Sequence, residues 1–141
     1  LTEEHDIVYR EDPHPDAPTT ETVMAPTNAQ FSEVVAPSQV MLFRYSALTF
    51  NGHRIHYDVD YARAVEGYNG LVFHGPLAAT LLIDLAKRTF GRSPKNFSFK
   101  ALVPLTGMDV FYIEGSQESN AINLWARRHD GAKAMEAHAT F

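Results

Sequence analysis

Apolar positions fall into two regimes along this chain. Up to Pro37 they are scattered among acids and prolines. Pro13, Pro15, Pro18, Pro26 and Pro37 all lie here, and the stretch predicts an extended arm or linker over residues 1–37. Only Glu4 to Arg10 carries a short strand-like run within it. From Ser38 the patterning is dense. Gln39 to Phe50 is rich in Val, Leu, Phe and Tyr and predicts a strand. Asn51 to Asp58 reads as a polar loop. Asp58 is placed to cap a short helix through Tyr61, Ala62, Arg63 and Val65 that Gly67 ends. Leu77, Leu81, Leu82 and Leu85 then recur at helical spacing, predicting one long, largely buried helix from Pro76 to about Phe90, stopped by Gly91.

Four strand-like runs follow with no further helix: Lys95 to Leu105, Met108 to Gly115, Ala121 to His129 and Ala132 to Phe141. Asp130-Gly131 is a two-residue hairpin signal between the last two. Strand, short helix, long helix and antiparallel meander make an α+β plan. One antiparallel sheet wrapped around one long central helix is the hot-dog arrangement, assigned here to residues 38–141.

Composition narrows the possibilities. A length of 141 residues fits one domain with a real core, and a hydrophobic content of 45% is too high for disorder. A net charge of −5 without any basic cluster argues against nucleic-acid binding. The absence of cysteine removes disulfides, thiolate nucleophiles and Cys-ligated zinc, and fits a reducing compartment. The expected location is the cytoplasm, or the mitochondrial matrix in a eukaryote. No apolar run approaches membrane-spanning length. The chain opens on Leu1 rather than Met, which suggests the C-terminal half of something longer.

Candidate chemistry concentrates in two stretches. Asn51-Gly-His-Arg-Ile-His56-Tyr-Asp58 packs two histidines, an amide and a carboxylate into eight residues. Gly70-Leu-Val-Phe-His74-Gly75-Pro76 ends in a glycine-proline step that opens the long helix. Histidines move protons near neutral pH, and free N–H groups at a helix start hold a developing oxyanion. The pairing suits chemistry on a carbonyl compound.

These stretches, with Phe43 to Phe50 before them, resemble the MaoC-like, R-specific enoyl-thioester hydratases. The nearest branch is the hydroxyacyl-thioester dehydratase and itaconyl- or mesaconyl-CoA hydratase group. The opening Glu3 to Arg10 also looks like a connecting segment of that branch. In the family motif an aspartate lies five residues before a histidine, and both act on water. The resemblance puts His56 on the histidine position and Asn51 on the aspartate position, a departure. His53 and Arg54 stand where the wider family has asparagine and proline, and Asp58 keeps a trailing acidic position. Family members contain two hot-dog halves or form dimers that imitate them, so a homodimer or a second half is the expected partner.

The expected catalytic set is therefore His56 as acid/base, Asn51 holding the reacting water, and the Gly75 N–H as oxyanion donor. An amide does not titrate usefully, so Asn51 cannot be a base; its alternative role is an Asx turn. His53, Arg54 and His74 are the expected substrate-binding residues. Arg54 meets a coenzyme A phosphate or substrate carboxylate, or else pairs with Asp58 or Asp60. His74 reads as a packing or orienting group. A His53/His56/Asp58 metal site ranks well behind the acid/base reading, and no metal is assigned. Trp125, Phe97 and Phe99 are expected in the core; His5, His14, His129 and His138 form no constellation.

The leading function is a hydro-lyase adding or removing water across the 2,3 double bond of an enoyl thioester. It needs no cofactor beyond coenzyme A as part of the substrate, with acyl carrier protein the second choice of carrier. The alternatives are a hot-dog thioesterase and a non-catalytic acyl-binding or dimerising half. Thioesterases of this fold place a carboxylate on or beside the central helix, whereas here Pro76 to Ile83 contains no acid and Asp84 comes late.

Overall fold

The computed structural model describes residues 1–6 and 22–141. The run from Glu4 to Arg10 falls mostly outside the described residues. A five-stranded antiparallel sheet contains β1 (Phe31–Val35), β2 (Asn96–Ala101), β3 (Phe111–Glu118), β4 (Ala121–Arg128) and β5 (Lys133–Thr140), in the order β1-β3-β4-β5-β2. Three helices, α1 (Gln39–Leu48), α2 (Val59–Ala64) and α3 (Gly75–Phe90), lie between β1 and β2.

The long helix packs as its spacing demands. Ala78, Ala79, Leu82, Leu85 and Ala86 are buried on one face of α3. They meet Phe111, Ile113, Leu124, Ala126, Met135 and Ala137 from the sheet in one cluster. Burying a side chain the size of Leu82 contributes roughly 1.5–3 kcal/mol. Gly91 ends the helix at φ 68°, a left-handed conformation open to glycine at little cost. This is the hot-dog arrangement of sheet and central helix.

Four expectations change. First, Gln39 to Phe50 is not a strand but α1. Ser38 Oγ accepts the Met41 amide as an N-cap, and the buried residues are Leu42 and Ser46, four apart rather than two. Met, Leu, Arg and Ala favour helix, and the cap outweighed the β-leaning aromatics. Second, the four late strands are not a simple meander. Only β3-β4-β5 run in sequence, and β2 pairs with β5 on the far edge. Third, the β4–β5 turn is centred on His129-Asp130. Gly131 N–H donates to Arg128 O, and Gly131 itself takes φ 89°. A bulge between Ala126 and Arg127 absorbs the extra residue. Fourth, Phe99 is 47% exposed rather than core.

The stretch read as an arm contributes to the sheet. β1 pairs antiparallel with β3, Phe31 opposite Gly115. Just before it, Lys133 N–H donates to Val23 O, Met24 bridges Ala132, and Gln30 N–H donates to Gly115 O. Residues 22–30 therefore run from β5 to β3 as a strap crossing β4. Pro26 and Asn28 share a groove with Trp125, Glu136 and His138 on the sheet face turned away from α3. On that face Glu114 is buried, yet it accepts from Trp125 Nε1 at 2.7 Å, from Arg127 Nε and Nη2 at 2.9 Å, and from Ser32 Oγ at 3.0 Å. Arg127 holds its carboxyl below the usual range. Trp125 is thus buried as expected, but outside the cluster around α3, with its Nε1–H on the Glu114 carboxylate.

Candidate active site

Two close backbone approaches build the site. Gly70 packs on Gly107 so tightly that a Cβ at Gly70 would lie 2.9 Å from Gly107 Cα. Glycine at both places brings the extended stretch 71–73 against residues 105–107, where Phe73 N–H donates to Leu105 O and Gly107 N–H to Leu71 O. On its other side the stretch holds the 3₁₀ turn Arg54–His56, through Val72 N–H to Ile55 O at 2.9 Å. Both histidine-bearing segments are thereby locked together at the N-terminus of α3.

His56 is buried, and its Nδ1 lies 2.7 Å from Val72 O. A carbonyl only accepts, so Nδ1 carries the proton and Nε2 of the neutral ring is the free base. Burial pushes the His56 pKa below its ordinary value, against the pull of the Val72 carbonyl, and His53 adds a smaller push in the same direction. His74 stacks on it with ring centroids 3.7 Å apart and an interplanar angle of 17°. His74 Nε2 is 2.9 Å from Ser46 Oγ, and the Tyr45 ring meets His74 edge-on at 4.7 Å. Burial, with His56 beside it, pushes the His74 pKa down to about 4.

His56, His74 and Gly75 line one cavity of about 290 Å³. Its remaining walls are apolar: Ala78 from α3, Val103 and Leu105 from the segment after β2, and Met135 from β5. Gly75 is the first residue of α3, with Pro76 behind it, so its N–H has no intrahelical acceptor and the positive end of the helix dipole lies there. A Cβ on Gly75 would meet only Met135 Cε, at 4.0 Å, which leaves open space beside the amide.

The other sequence candidates lie around this cavity rather than in its lining. Asn51 Oδ1 accepts the His53 amide at 3.0 Å, an Asx turn at the loop entrance. His53 is exposed and 3.5 Å from Glu66. Arg54 pairs through Nε and Nη2 with Asp58, and its guanidinium lies 4.2 Å from the Tyr61 ring centroid. Asp58 also caps α2 by accepting the Tyr61 amide. Among the described residues no three His, Cys, Asp or Glu side chains are grouped to hold a metal ion, and no helix is long and apolar enough to cross a membrane. Sequence reasoning missed Ser46, the Val72 carbonyl and the 101–105 wall. The signal for Ser46 was its place four residues after Leu42, visible only once that segment is read as a helix.

Comparison with known proteins gives the chain its family. The family model for hydroxyacyl-thioester dehydratase type 2 matches residues 1–107, which include both histidine segments. The mesaconyl-C(4)-CoA hydratase of Chloroflexus aurantiacus is 44% identical over 97% of this chain and 49% of its own length. The mitochondrial hydroxyacyl-thioester dehydratase type 2 of Schizosaccharomyces pombe is 38% identical over 59% of this chain and 29% of its own. The chain thus spans about half or less of the length of these curated relatives. Among solved structures, a MaoC-like dehydratase from Phytophthora capsici superposes with a TM-score of 0.70 at 17% identity, over 86% of this chain and 43% of the other. The (R)-hydratase from A. caviae does so at 0.65 and 17%, over 87% and 96%. At such identities these two establish the fold alone. By the family model and by its curated relatives, the chain belongs to the hydroxyacyl-thioester dehydratase type 2 family.

Proposed function

We propose that this chain forms the acid/base half of a hydro-lyase that adds water reversibly across the 2,3 double bond of an enoyl-CoA thioester. The observation that carries the reading is the apolar cavity lined by a neutral histidine with a free Nε2 and by the first amide of a helix. His56 Nε2 takes a proton from water as the oxygen bonds to C3. The C2–C3 π electrons move toward the carbonyl, and the enolate oxygen is held by the Gly75 N–H. The imidazolium then returns its proton to C2. Dehydration is the reverse, with His56 removing the C2 proton first.

Asn51 acts at the loop entrance, orienting water while its carbonyl shapes the turn that carries His56. His53 and Arg54, exposed on the same loop, meet the polar part of the carrier, coenzyme A in preference to acyl carrier protein. A second hot-dog half, or a second copy, covers the apolar side of α1, where Val40, Phe43 and Leu48 are 57%, 60% and 80% exposed. The assigned compartment is the cytoplasm, or the mitochondrial matrix in a eukaryote, in line with the mitochondrial naming of the fission-yeast relative.

The test is enoyl-CoA hydration followed spectrophotometrically beside thiol release. His56→Ala is expected to lose roughly 10²–10⁴-fold in turnover while keeping its fold. A folded variant with near-native turnover removes His56 from the mechanism, and thiol release without hydration replaces the lyase by a thioesterase.

A further inference from the structure

We propose that His74 is a positioning residue for His56. Held by Ser46 and laid face to face on the His56 ring, it shields that ring from water and fixes the direction in which Nε2 meets the reacting groups. The inference rests on His56 being the base and adds how that base is kept neutral and aimed.

The geometry carries it in three steps. His74 is almost wholly buried, at 1% exposure, so it occupies the space from which water would otherwise reach the flat face of His56. A ring without its hydration shell resists taking on charge. Second, the two nitrogens of His74 are unlike. Nε2 is committed to Ser46 Oγ, and Nδ1 is sealed from solvent with no hydrogen-bond partner. A proton added to His74 would be stranded without an acceptor on that side, a costly state for a buried cation. His56, in contrast, has the Val72 carbonyl for its Nδ1–H when Nε2 becomes protonated. The stacked pair therefore carries one positive charge at most, and it falls on His56. Third, Ser46 ties the His74 ring to α1 while His74 is the N-cap residue of α3, so the stack is clamped between two helices rather than carried on a loop.

The titratable groups facing the pair are few. His53 meets His56 from the same turn with ring centroids 5.8 Å apart, and Tyr45 meets His74 from α1. Glu66 contacts His53 and accepts from Tyr61 Oη. Ala101 to Leu105 and Met135 contribute no titratable side chain to the cavity wall. Burial, to which the stacked His74 ring contributes, is the largest influence on His56.

The experiment follows the imidazole resonances of the full-length protein by two-bond ¹H–¹⁵N spectra across a pH titration, beside the pH profile of hydration. In the native protein His56 shows the Nδ1–H tautomer and titrates below the ordinary value. In His74→Ala its midpoint rises toward the ordinary histidine value, and the acid limb of the kcat profile moves up in step. kcat falls by roughly 10²-fold, as for a catalytic group displaced by about 1 Å, while KM changes little. His74→Phe keeps a ring over His56 and holds the midpoint near its native place. Ser46→Ala leaves both rings but frees the clamp, and gives an intermediate rise. An unmoved His56 midpoint in His74→Ala overturns the proposal, as does a Phe variant that titrates like the Ala one. If His74→Ala does not fold, an unchanged midpoint and kcat in Ser46→Ala overturn it. The spectra need no turnover: if His56→Ala stays active the base assignment falls, while the His56 titration still judges His74.

Discussion

Gly75→Ala separates stability from catalysis at one atom. Gly75 sits at the first turn of α3 with φ outside the left-handed region, so alanine adopts its conformation without strain. The added Cβ would find only Met135 Cε, 4.0 Å away, an ordinary van der Waals contact. Alanine also restricts the unfolded chain, so the variant should be as stable as the native protein or more so, by up to about 1 kcal/mol. The methyl group, however, projects into the cavity beside the amide that is to hold the thioester oxygen. It keeps the donor but displaces the acceptor by about 1 Å, which is worth roughly 10²-fold in rate, or about 2.7 kcal/mol of transition-state stabilisation. Urea denaturation measures the first quantity and kcat/KM for enoyl-CoA hydration the second. Near-native turnover in a stable Gly75→Ala protein would show that the carbonyl does not approach this amide. A marked loss of stability would show that the space beside Gly75 is already filled.

Other expected outcomes are more direct. Asn51→Ala should lower turnover by loosening the loop, whereas Asn51→Asp should retain measurable hydration with an altered pH profile; a wholly inactive aspartate variant with native structure would contradict a water-orienting role. Glu114→Ala should cost about 3 kcal/mol in chemical denaturation, because it leaves the Arg127 guanidinium and Trp125 Nε1 without their acceptor; a loss below 1 kcal/mol would refute the burial argument. Stability should fall with acid. His74 binds a proton less readily folded than unfolded, so its contribution is complete above about 6.5 and is lost as pH falls toward about 4, a span worth roughly 3 kcal/mol. His74→Phe should flatten that part of the slope, as measured by urea midpoints across pH.

The legible parts of this molecule are those where one residue type decides. Asp58 was readable as the α2 cap, Gly91 as the end of α3, and the stripe Leu82, Leu85 as the core face, because each rests on a local rule that tertiary contacts reinforce. Gln39 to Phe50 reads equally as a strand because its aromatics and valine satisfy a strand pattern as well as a helix, and Ser38, the deciding residue, lies just outside the run. The exchange of β2 to the far edge had no local signal, since strand order is set by the crossover and not by any strand's own composition. At the site, the motif pointed to His56 and Gly75, both of which line the cavity. It said nothing of Ser46 or of the Val72 carbonyl. The first belongs to a segment whose helical phase was unknown, and the second is a backbone atom that no side-chain reading can find.

The pairing of β1 with β3 also bears on how the protein is made. Ser32 and its partner Glu114 are 82 residues apart in the chain. At roughly 5–20 residues per second of synthesis, the first strand waits about 4–16 s for its neighbour. The strap at Val23 and Met24 waits longer still, for Ala132 and Lys133 at the start of β5. Once α3 is complete, the four strands it packs against, β2 to β5, are still unmade, and the faces of Leu82 and Leu85 stand in water. Nascent chains of this protein should therefore be clients of ribosome-associated holdases over a window ending only when the last strand emerges.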